Sequence, residues 1–435
     1  MENEKLGIRK WLSFIVAGLI GQLAWAIENN YLNFYVFDCT NESIYVTYMT
    51  AFSAVAATIT TLFMGALSDR LGKRKLFISS GYIIWGLSII MFAFLDPRKP
   101  YNIVAHSVLI AGTMIVIMDC VMTFFGSTAN DAAFNAFVTD NTKPSNRGKV
   151  ESVLSILPLV AMIAVVLLQG ALVGDRNKIP ELDWTPFFVI FGGITTLSGV
   201  ALIFILPKDV KGPNKEEPYL KNIIHGFRPS VIKSRPKLYC SLLAFMVFNI
   251  AIQIFMPYFM IYININNFEL VSTAGPILGV ACVLTVILGF YMEKIGKYKL
   301  MYASIASSVV GGLLLFFFIE QAAVIIGGII LMTGYLLATA VLGAKIRDYT
   351  PENETGLFQG VRMVFVVMIP MVTGPFIGQG VSNIEPIIGL NDYGETTVLP
   401  NKYIFLFAAI TLVFTIIPLL ILMRKELEDG KDTAK

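Results

Sequence analysis

The chain has 435 residues, of which 56% are hydrophobic and 14% are charged, and its mean hydropathy is +0.70. A soluble chain of this length would form two or three domains with far more charge, so the composition excludes soluble domains and indicates an integral membrane protein. The net charge of +3 indicates little by itself, and we expect no nucleic-acid partner, cofactor or metal.

Apolar runs of about 20 residues or more recur along the whole chain, and each can cross roughly 30 Å of hydrocarbon as a helix. Helices also satisfy every backbone hydrogen bond in lipid. The sequence therefore predicts an all-α membrane protein with 12 transmembrane helices in two pseudo-symmetric six-helix bundles. The predicted spans are 11–37, 44–67, 76–95, 103–138, 149–173 and 186–206, then 239–262, 271–292, 300–319, 322–345, 356–380 and 401–423.

The segment between the sixth and seventh spans is charged and rich in proline, which is typical of a linker. We predict an N-terminal bundle at 1–206, a cytoplasmic linker at 207–238 with a short surface helix near 219–227, and a C-terminal bundle at 239–435. The fourth span is overlong, so we expect it to tilt or bend near Gly126.

The basic residues are distributed unevenly between the two sides of the predicted bundle. If the loops alternate between sides, 27 of the 33 Lys and Arg residues lie on one side, which is therefore predicted to be cytoplasmic. Both termini then lie in the cytoplasm, and we expect a monomer in the cell membrane. The first apolar run continues to Phe37 without a break, so we expect an uncleaved first helix.

The four cysteines do not form a recognisable framework. Cys120, Cys240 and Cys282 fall in apolar runs, and Cys39 stands alone near the predicted outer surface. We therefore expect no disulfide and no metal site with cysteine ligands.

A short basic stretch, 65–75, lies between the second and third predicted spans, and a second copy follows 224 residues later at 289–299. The second copy keeps both glycines and two lysines, and it has Glu293 at the position that corresponds to Asp69. A second pair of similar stretches begins at Asp140 and at Asp348, 208 residues apart. The chain is therefore predicted to consist of two related halves.

Two six-helix halves, a basic linker and a G-x-L-x-D-R-x-G-K-R loop after the second span resemble the major facilitator superfamily over nearly the whole chain. The resemblance implies that loop charges hold the halves together on the cytoplasmic side and release during alternating access. An acidic group facing a helix N-terminus can make and break such a contact, although an ordinary basic loop is the alternative. The implied conformational latch consists of Gly65, Asp69, Arg70, Gly72, Lys73, Arg74, Glu293, Lys294, Gly296, Lys297, Asp348 and Arg362.

The fourth span carries the best candidates for a site inside the membrane, where ionisable residues are costly. Thr128, Asp131, Asn135 and Thr139 are spaced to share one face of an α-helix. Such a face can hold sugar hydroxyls, a proton or a cation, and the alternative is that Asp131 serves packing alone.

The stretch from Thr128 to Phe134 also resembles the T-x-x-D-x-x-F segment of glycoside-pentoside-hexuronide cation symporters, and the first span loosely resembles sucrose/proton symporters. The resemblance implies that Asp131 binds sugar and that Thr128 lies near a cation site. The acidic pair of the sodium-coupled members falls here at Ala57 and Thr61. We therefore expect a proton as the coupling ion, bound through Asp131 or Glu28.

The first span contributes Gln22, Trp25 and Asn29 to the predicted substrate site. Glu28 either faces the cavity or reaches water at the outer surface, and Trp25 either stacks on a sugar ring or is a core aromatic. In the second half, Asn249 with Gln253 and Tyr335 with Thr339 are spaced by four residues, and each pair either lines the cavity or provides packing contacts.

The leading functional hypothesis is a secondary active transporter that moves a small polar solute, a sugar or glycoside, by alternating access with a proton. The alternatives are a proton-coupled exporter of amphipathic compounds and a membrane sensor that transports nothing. The sequence contains no His-Glu-x-x-His, Gly-x-Ser-x-Gly or phosphate-binding-loop motif, so we expect neither an enzyme nor a primary pump.

Overall fold

The computed structural model describes residues 6–100, 102–103, 107–142, 150, 153–154, 156–174, 182–209, 226–350, 355–390 and 396–432. Among these residues, eleven helices are long and apolar enough to cross a membrane, and a shorter apolar helix covers Val160–Leu172. The predicted all-α membrane fold is confirmed.

The helices of the first half follow the predicted spans closely. They are α1 (Ile8–Thr40), α2 (Ser43–Leu71), α3 (Arg74–Phe94), α4 (Val108–Asn141), α5 (Leu157–Leu172) and α6 (Thr185–Ile205).

The second half begins with a short helix, α7 (Pro229–Ser234), where a proline occupies the first turn and needs no backbone partner. The membrane helices follow as α8 (Pro236–Ile265), α9 (Leu270–Phe290), α11 (Lys297–Phe317), α12 (Gln321–Tyr349), α13 (355–381), and the nearly continuous α14 (Tyr403–Phe414) and α15 (Ile416–Asp432). A four-residue helix, α10 (Met292–Ile295), separates α9 from α11.

The chain forms two compact units, Met1–Glu217 with Leu390–Glu395 and Pro218–Gly389 with Thr396–Lys435. The predicted surface helix near 219–227 lies mostly outside the described residues. The segment between the last two predicted spans, 356–380 and 401–423, contains an element that the sequence did not predict, a two-stranded sheet of β1 (Ile387–Leu390) and β2 (Thr396–Leu399).

Within the described ranges, three membrane helices contain π-helical segments, which widen the helix locally. They cover Ile27–Leu32 in α1, Ser127–Phe134 in α4 and Val364–Met368 in α13. The first two coincide with the most polar stretches of their helices, IENNYL and STANDAAF. The expected irregularity after Gly126 is thus a widened helix, and such segments occur frequently at functional sites.

The basic stretch after the second span is mostly helical, which corrects the prediction of a loop from Gly65 onward. Helix α2 continues through Asp69 and Arg70 to Leu71, and the chain turns only at Gly72, whose φ of 61° suits glycine. Gly296 has a φ of 91° at the corresponding position of the second copy. Gly72 and Gly296 therefore make the turns, whereas Gly65 lies inside a helix.

In each half, a basic residue just after the turn forms an ion pair with the aspartate that begins the second repeated stretch of that half. Arg74 Nε lies 3.4 Å from Asp140 Oδ2, and Lys297 Nζ lies 2.8 Å from Asp348 Oδ2. The first pair is largely buried and the second is exposed. The two repeated stretches of each half are distant in sequence but are therefore neighbours in the fold.

Arg98 joins the ends of α1, α3 and α6 in the first unit. Its guanidinium bonds to Asp96 at 2.9 Å and to Asp38 at 2.8 Å, and Trp184 Nε1 donates to the same Asp38 oxygen at 3.0 Å. Burial opposes the charge of Arg98, but the hydrogen bonds to Asp96 and the charge of Asp38 raise its pKa above the ordinary value. Arg98 therefore stays charged and fixes three helix ends.

Candidate functional site

The candidate site lies within the first unit, where the polar segments of α1 and α4 meet. Thr123 Oγ1 donates a 2.9 Å hydrogen bond to Oε1 of Glu28. Glu28 is only 7% exposed, so it does not reach water at the outer surface. Its second carboxylate oxygen, Oε2, has no hydrogen-bonding partner among the described residues.

Asp119 lies one helical turn before Thr123 and therefore on the same face of α4. It is 1% exposed and interacts electrostatically with Glu28. Ser53 of α2 lies beside the Asp119 carboxylate, although its hydroxyl donates to the backbone oxygen of Thr50 at 3.4 Å. Asp119 Oδ1 has no hydrogen-bonding partner among the described residues. Glu28 and Asp119 thus form a buried acidic pair with a free oxygen on each residue.

Asp131 completes the acidic group at a more open position. Ser127 Oγ donates to Asp131 Oδ2 at 3.1 Å, and Asp131 is half-buried. Its charge interacts with that of Glu28. Within the described part of the chain, no basic side chain forms an ion pair with any of the three carboxylates, so each charge is costly inside a membrane.

A polar row at four-residue intervals organises this face of α4. An α-helix holds about 3.6 residues per turn, so such a row drifts around the helix. The wider turns of the π segment offset part of that drift. The row consists of Asp119, Thr123, Ser127 and Asp131, and it continues to Asn135 and Thr139.

A second hydrogen-bond network, formed by residues of α1, α3 and α4, lies next to the site. Trp25 Nε1 donates to Asn130 Oδ1 at 3.4 Å, and Asn130 Nδ2 donates to the hydroxyl of Tyr82 at 2.7 Å. Tyr82 donates in turn to the backbone oxygen of Ala17 at 2.6 Å. Gly21 lies against this network, because an added Cβ would clash with the amide of Asn130 and lie 2.6 Å from the Tyr82 oxygen.

The structure only partly brings together the predicted face of α4. Asn135 and Thr139 are exposed, but the hydroxyl of Thr128 is buried and donates to the backbone oxygen of Phe124 at 2.7 Å. Ser127, and not Thr128, therefore contacts the Asp131 carboxylate. Ser127 lies four residues before Asp131 and so shares its face of the helix, whereas the Thr128 hydroxyl is occupied by its own backbone.

The predicted residues of α1 occupy different environments. Trp25 packs against Trp85 with a centroid distance of 5.0 Å and bonds to Asn130, so it belongs to the supporting network. Asn29 is exposed and its amide donates to the backbone oxygen of Trp25, while Gln22 is half-buried.

In the second unit, the four predicted residues lie on facing helices. Asn249 Nδ2 donates to the backbone oxygen of Val366 in the π segment of α13 at 2.8 Å. Tyr335 stacks on Phe248 with an interplanar angle of 13°, and Gln253 lies against Gly374. The buried hydroxyl of Thr339 has no partner among the described residues. This set is neutral, in contrast to the acidic group of the first unit.

The latch residues remain a prediction. Lys73 ends the turn after α2, and Arg74 also contacts Ser68. Arg70 and Lys294 are exposed, and Arg362 is half-buried near the start of α13. The side chains of Asp69 and Glu293 lie outside the described part of the structure.

Sequence reasoning missed several members of the site. They are Asp119, Thr123, Ser127, Ser53, Asn130 and Tyr82. The four-residue row from Asp119 to Asp131 is a signal that could have found three of them. The partners on α2 and α3 carry no such signal, because single Ser and Tyr residues are common in membrane helices.

Comparisons with known proteins establish the family of this chain. The profile of the Major Facilitator Superfamily matches residues 11–375. The chain belongs to the Major Facilitator Superfamily. No curated protein sequence matches the chain.

Solved structures agree with this major facilitator fold. A bacterial homologue of the human lysosomal transporter Spinster, in an inward-facing and occupied conformation, is 13% identical with a TM-score of 0.71, and the match covers 98% of this chain and 99% of that one. The nucleoside transporter NupG (D323A mutant) is 10% identical with a TM-score of 0.71, covering 94% and 99%. The xylose transporter XylE from E. coli is 13% identical with a TM-score of 0.65, covering 93% and 97%.

At 10% to 13% sequence identity, these solved structures show only the fold. Membership of this family makes the chain a multi-pass membrane transporter and implies a small-molecule substrate. The glycoside-pentoside-hexuronide branch stays a prediction.

Proposed function

We propose that the protein is a proton-coupled symporter that moves a sugar or glycoside by alternating access. The observation that carries the proposal is the set of carboxylates Glu28, Asp119 and Asp131 on two membrane helices of the first unit, where the charge of Glu28 interacts with the charges of the other two. Three negative charges without a basic partner are costly in a membrane, and binding of a cation offsets that cost.

The half-buried Asp131 is the proposed contact to the solute. A carboxylate accepts charge-assisted hydrogen bonds from sugar hydroxyls, and Ser127 holds one of its oxygens while the other remains for a ligand. The exposed Asn135 lies one turn away and offers an amide to the same solute. The neutral residues of the second unit, Asn249, Gln253, Tyr335 and Thr339, are proposed to contribute further hydrogen bonds.

The proposed cycle is a rocking of the two halves, with the latch residues closing the cytoplasmic side. The excess of Lys and Arg on one predicted side supports cytoplasmic termini and a cell-membrane location. Neutralising the carboxylates by a proton and a solute together would favour the change of state, because an empty charged site resists it.

The test is uptake of a panel of labelled sugars into vesicles, with and without a protonophore. We expect uptake of at least one sugar, loss of its accumulation with protonophore, and loss of uptake in Asp131→Asn while the protein remains in the membrane. Asp183→Asn makes the same chemical change in a half-exposed loop residue and should transport normally. Unchanged uptake by Asp131→Asn would remove Asp131 from the site.

One observation favours a second candidate, a proton-coupled exporter of amphipathic compounds. An apolar groove of about 910 Å³ lies between α2 and α4, lined by residues that include Tyr48, Phe52, Ile117, Val121 and Phe124. Efflux of amphipathic dyes that depends on the proton gradient, in the absence of uptake of any sugar, would favour this candidate over the symporter.

A further inference from the structure

Asp119 is the most buried of the three carboxylates, although neither the predicted substrate site nor the predicted latch includes it. Asp119 is 1% exposed, and its oxygen Oδ1 has no hydrogen-bonding partner among the described residues. A buried carboxylate oxygen without a donor is unusual, because buried polar atoms normally have partners. Its surroundings therefore indicate a missing proton donor or cation.

Glu28 repeats this arrangement from the opposite helix. One of its oxygens accepts from Thr123 and the other has no partner among the described residues. Glu28 is more than nine-tenths buried, and its charge interacts with that of Asp119. Each residue of the pair thus has one buried oxygen without a hydrogen-bonding partner among the described residues.

A single proton suits this geometry better than a larger cation. Within the described residues no group of three or more potential metal ligands is found. The hydroxyl of Thr123 donates to Oε1 of Glu28, so Oε2 is the oxygen of Glu28 that is left to carry a proton. A proton bound to one carboxyl can be shared with the other, which satisfies both free oxygens at once.

The pair is distinct from the place where the solute is proposed to bind. Asp131 lies three turns along the row from Asp119, has its own hydroxyl partner in Ser127, and is half-buried. Besides the pair itself, the titratable groups that interact with it are Asp131 and Cys120. All of these are acidic or neutral, so none supplies the positive charge that the pair lacks.

We propose that Glu28 and Asp119 together bind one proton, at a site separate from Asp131. In transport this proton is the coupling ion, a role that rests on the proposed symport. The bound proton itself can be measured without any transport.

The direct test is infrared difference spectroscopy of the purified protein in lipid, which separates the C=O stretch of a protonated carboxyl from ionised carboxylates. We expect a protonated-carboxyl band near neutral pH in the wild type, and we expect Glu28→Gln and Asp119→Asn each to remove it. The double variant should lose no more than either single variant, because one proton belongs to both residues. Asp131→Asn and Asp183→Asn should keep the band.

Several results would overturn the assignment. Persistence of the band in both single variants places the proton elsewhere, and its loss in only one assigns it to a single residue. Disappearance of the band when sodium chloride replaces choline chloride at constant pH means that the site takes sodium. Elution as a single species during size-exclusion chromatography shows that each variant is folded.

Vesicle experiments separate this inference from the proposed function. In Glu28→Gln and Asp119→Asn, the ratio of proton-driven uptake to solute counterflow should fall by at least about tenfold, since counterflow needs no net proton movement. A wild type that has the infrared band but transports no sugar contradicts the symporter and leaves the proton site standing. A wild type that transports a sugar with a proton but lacks the band contradicts the shared site alone.

Discussion

Thr123 donates a 2.9 Å hydrogen bond to Oε1 of Glu28, which connects α4 to the π-helical segment of α1. The bond fixes one oxygen of Glu28, while the other, Oε2, has no hydrogen-bonding partner among the described residues. Two membrane helices of the first unit are thus joined through a residue that is costly to bury. The effects of this hydrogen bond on stability and on transport can be measured separately.

Replacing Thr123 with valine keeps the shape of the side chain and removes this hydrogen bond. We expect the free energy of unfolding to fall by about 0.6–2 kcal/mol, because the Glu28 carboxylate loses its donor. The matched control is Thr195→Val, since the buried hydroxyl of Thr195 bonds only to its own helix at Phe191. Thermal unfolding in detergent measures both, and equal effects would show that the bond to Glu28 contributes nothing.

Gly21→Ala should be destabilising because the new methyl group has no space. It would clash with Asn130, which is held in place by hydrogen bonds from Trp25 and to Tyr82. Overpacking of this kind costs about 1–3 kcal/mol. Gly193→Ala in α6 is the control, since nothing lies within 4 Å of its added Cβ. A Gly21 variant as stable as the Gly193 variant would mean that the network repacks freely.

Arg98→Met should be among the most destabilising single changes in the first unit. It would leave the carboxylates of Asp38 and Asp96, whose side chains are 1% and 3% exposed, without their cation. Removing one partner of a buried ion pair costs about 3–5 kcal/mol. Lys99→Met tests the neighbouring Lys99–Asp183 pair, where Asp183 is half exposed, and should cost less than about 1 kcal/mol. Similar melting temperatures for the two variants would contradict this ranking.

The latch hypothesis predicts that Asp69→Asn shifts the balance between inward-open and outward-open states. Loss of the charge would weaken closure of the cytoplasmic side. Labelling of single cysteines placed at the two ends of the helices, in a background without the four native cysteines, reports the shift as increased accessibility on one side. The same labelling pattern in Asp69→Asn and the wild type would reject the latch role.

Most of the fold could be predicted from the sequence, because lipid imposes a simple rule on it. Each span had to be apolar for about 20 residues, and the breaks between spans carry charge, proline or glycine. The turn glycines Gly72 and Gly296 were visible as the conserved positions of a repeat. The end of α2 was placed too early, since Ser68, Asp69 and Arg70 are polar yet continue the helix beyond the apolar run.

The candidate site was only partly predictable, for a physical reason. Two π-helical segments interrupt the regular helices at the site, and the hydroxyl of Thr128 bonds to its own helix at Phe124 while Ser127 contacts Asp131. No sequence period indicates a π segment beforehand. Contacts between distant helices, such as Glu28 with Thr123 and Asn130 with Tyr82, depend on helix packing that a single sequence does not specify.

The most direct test of the account is proton movement during solute entry. Purified protein is reconstituted into liposomes that contain a pH-sensitive dye, and a sugar that the uptake panel identified is added outside without a pH gradient. The account predicts that the lumen acidifies with the wild type and with Asp183→Asn, and stays unchanged with Asp131→Asn. Sugar entry into wild-type liposomes without any acidification would contradict coupling of the solute to a proton.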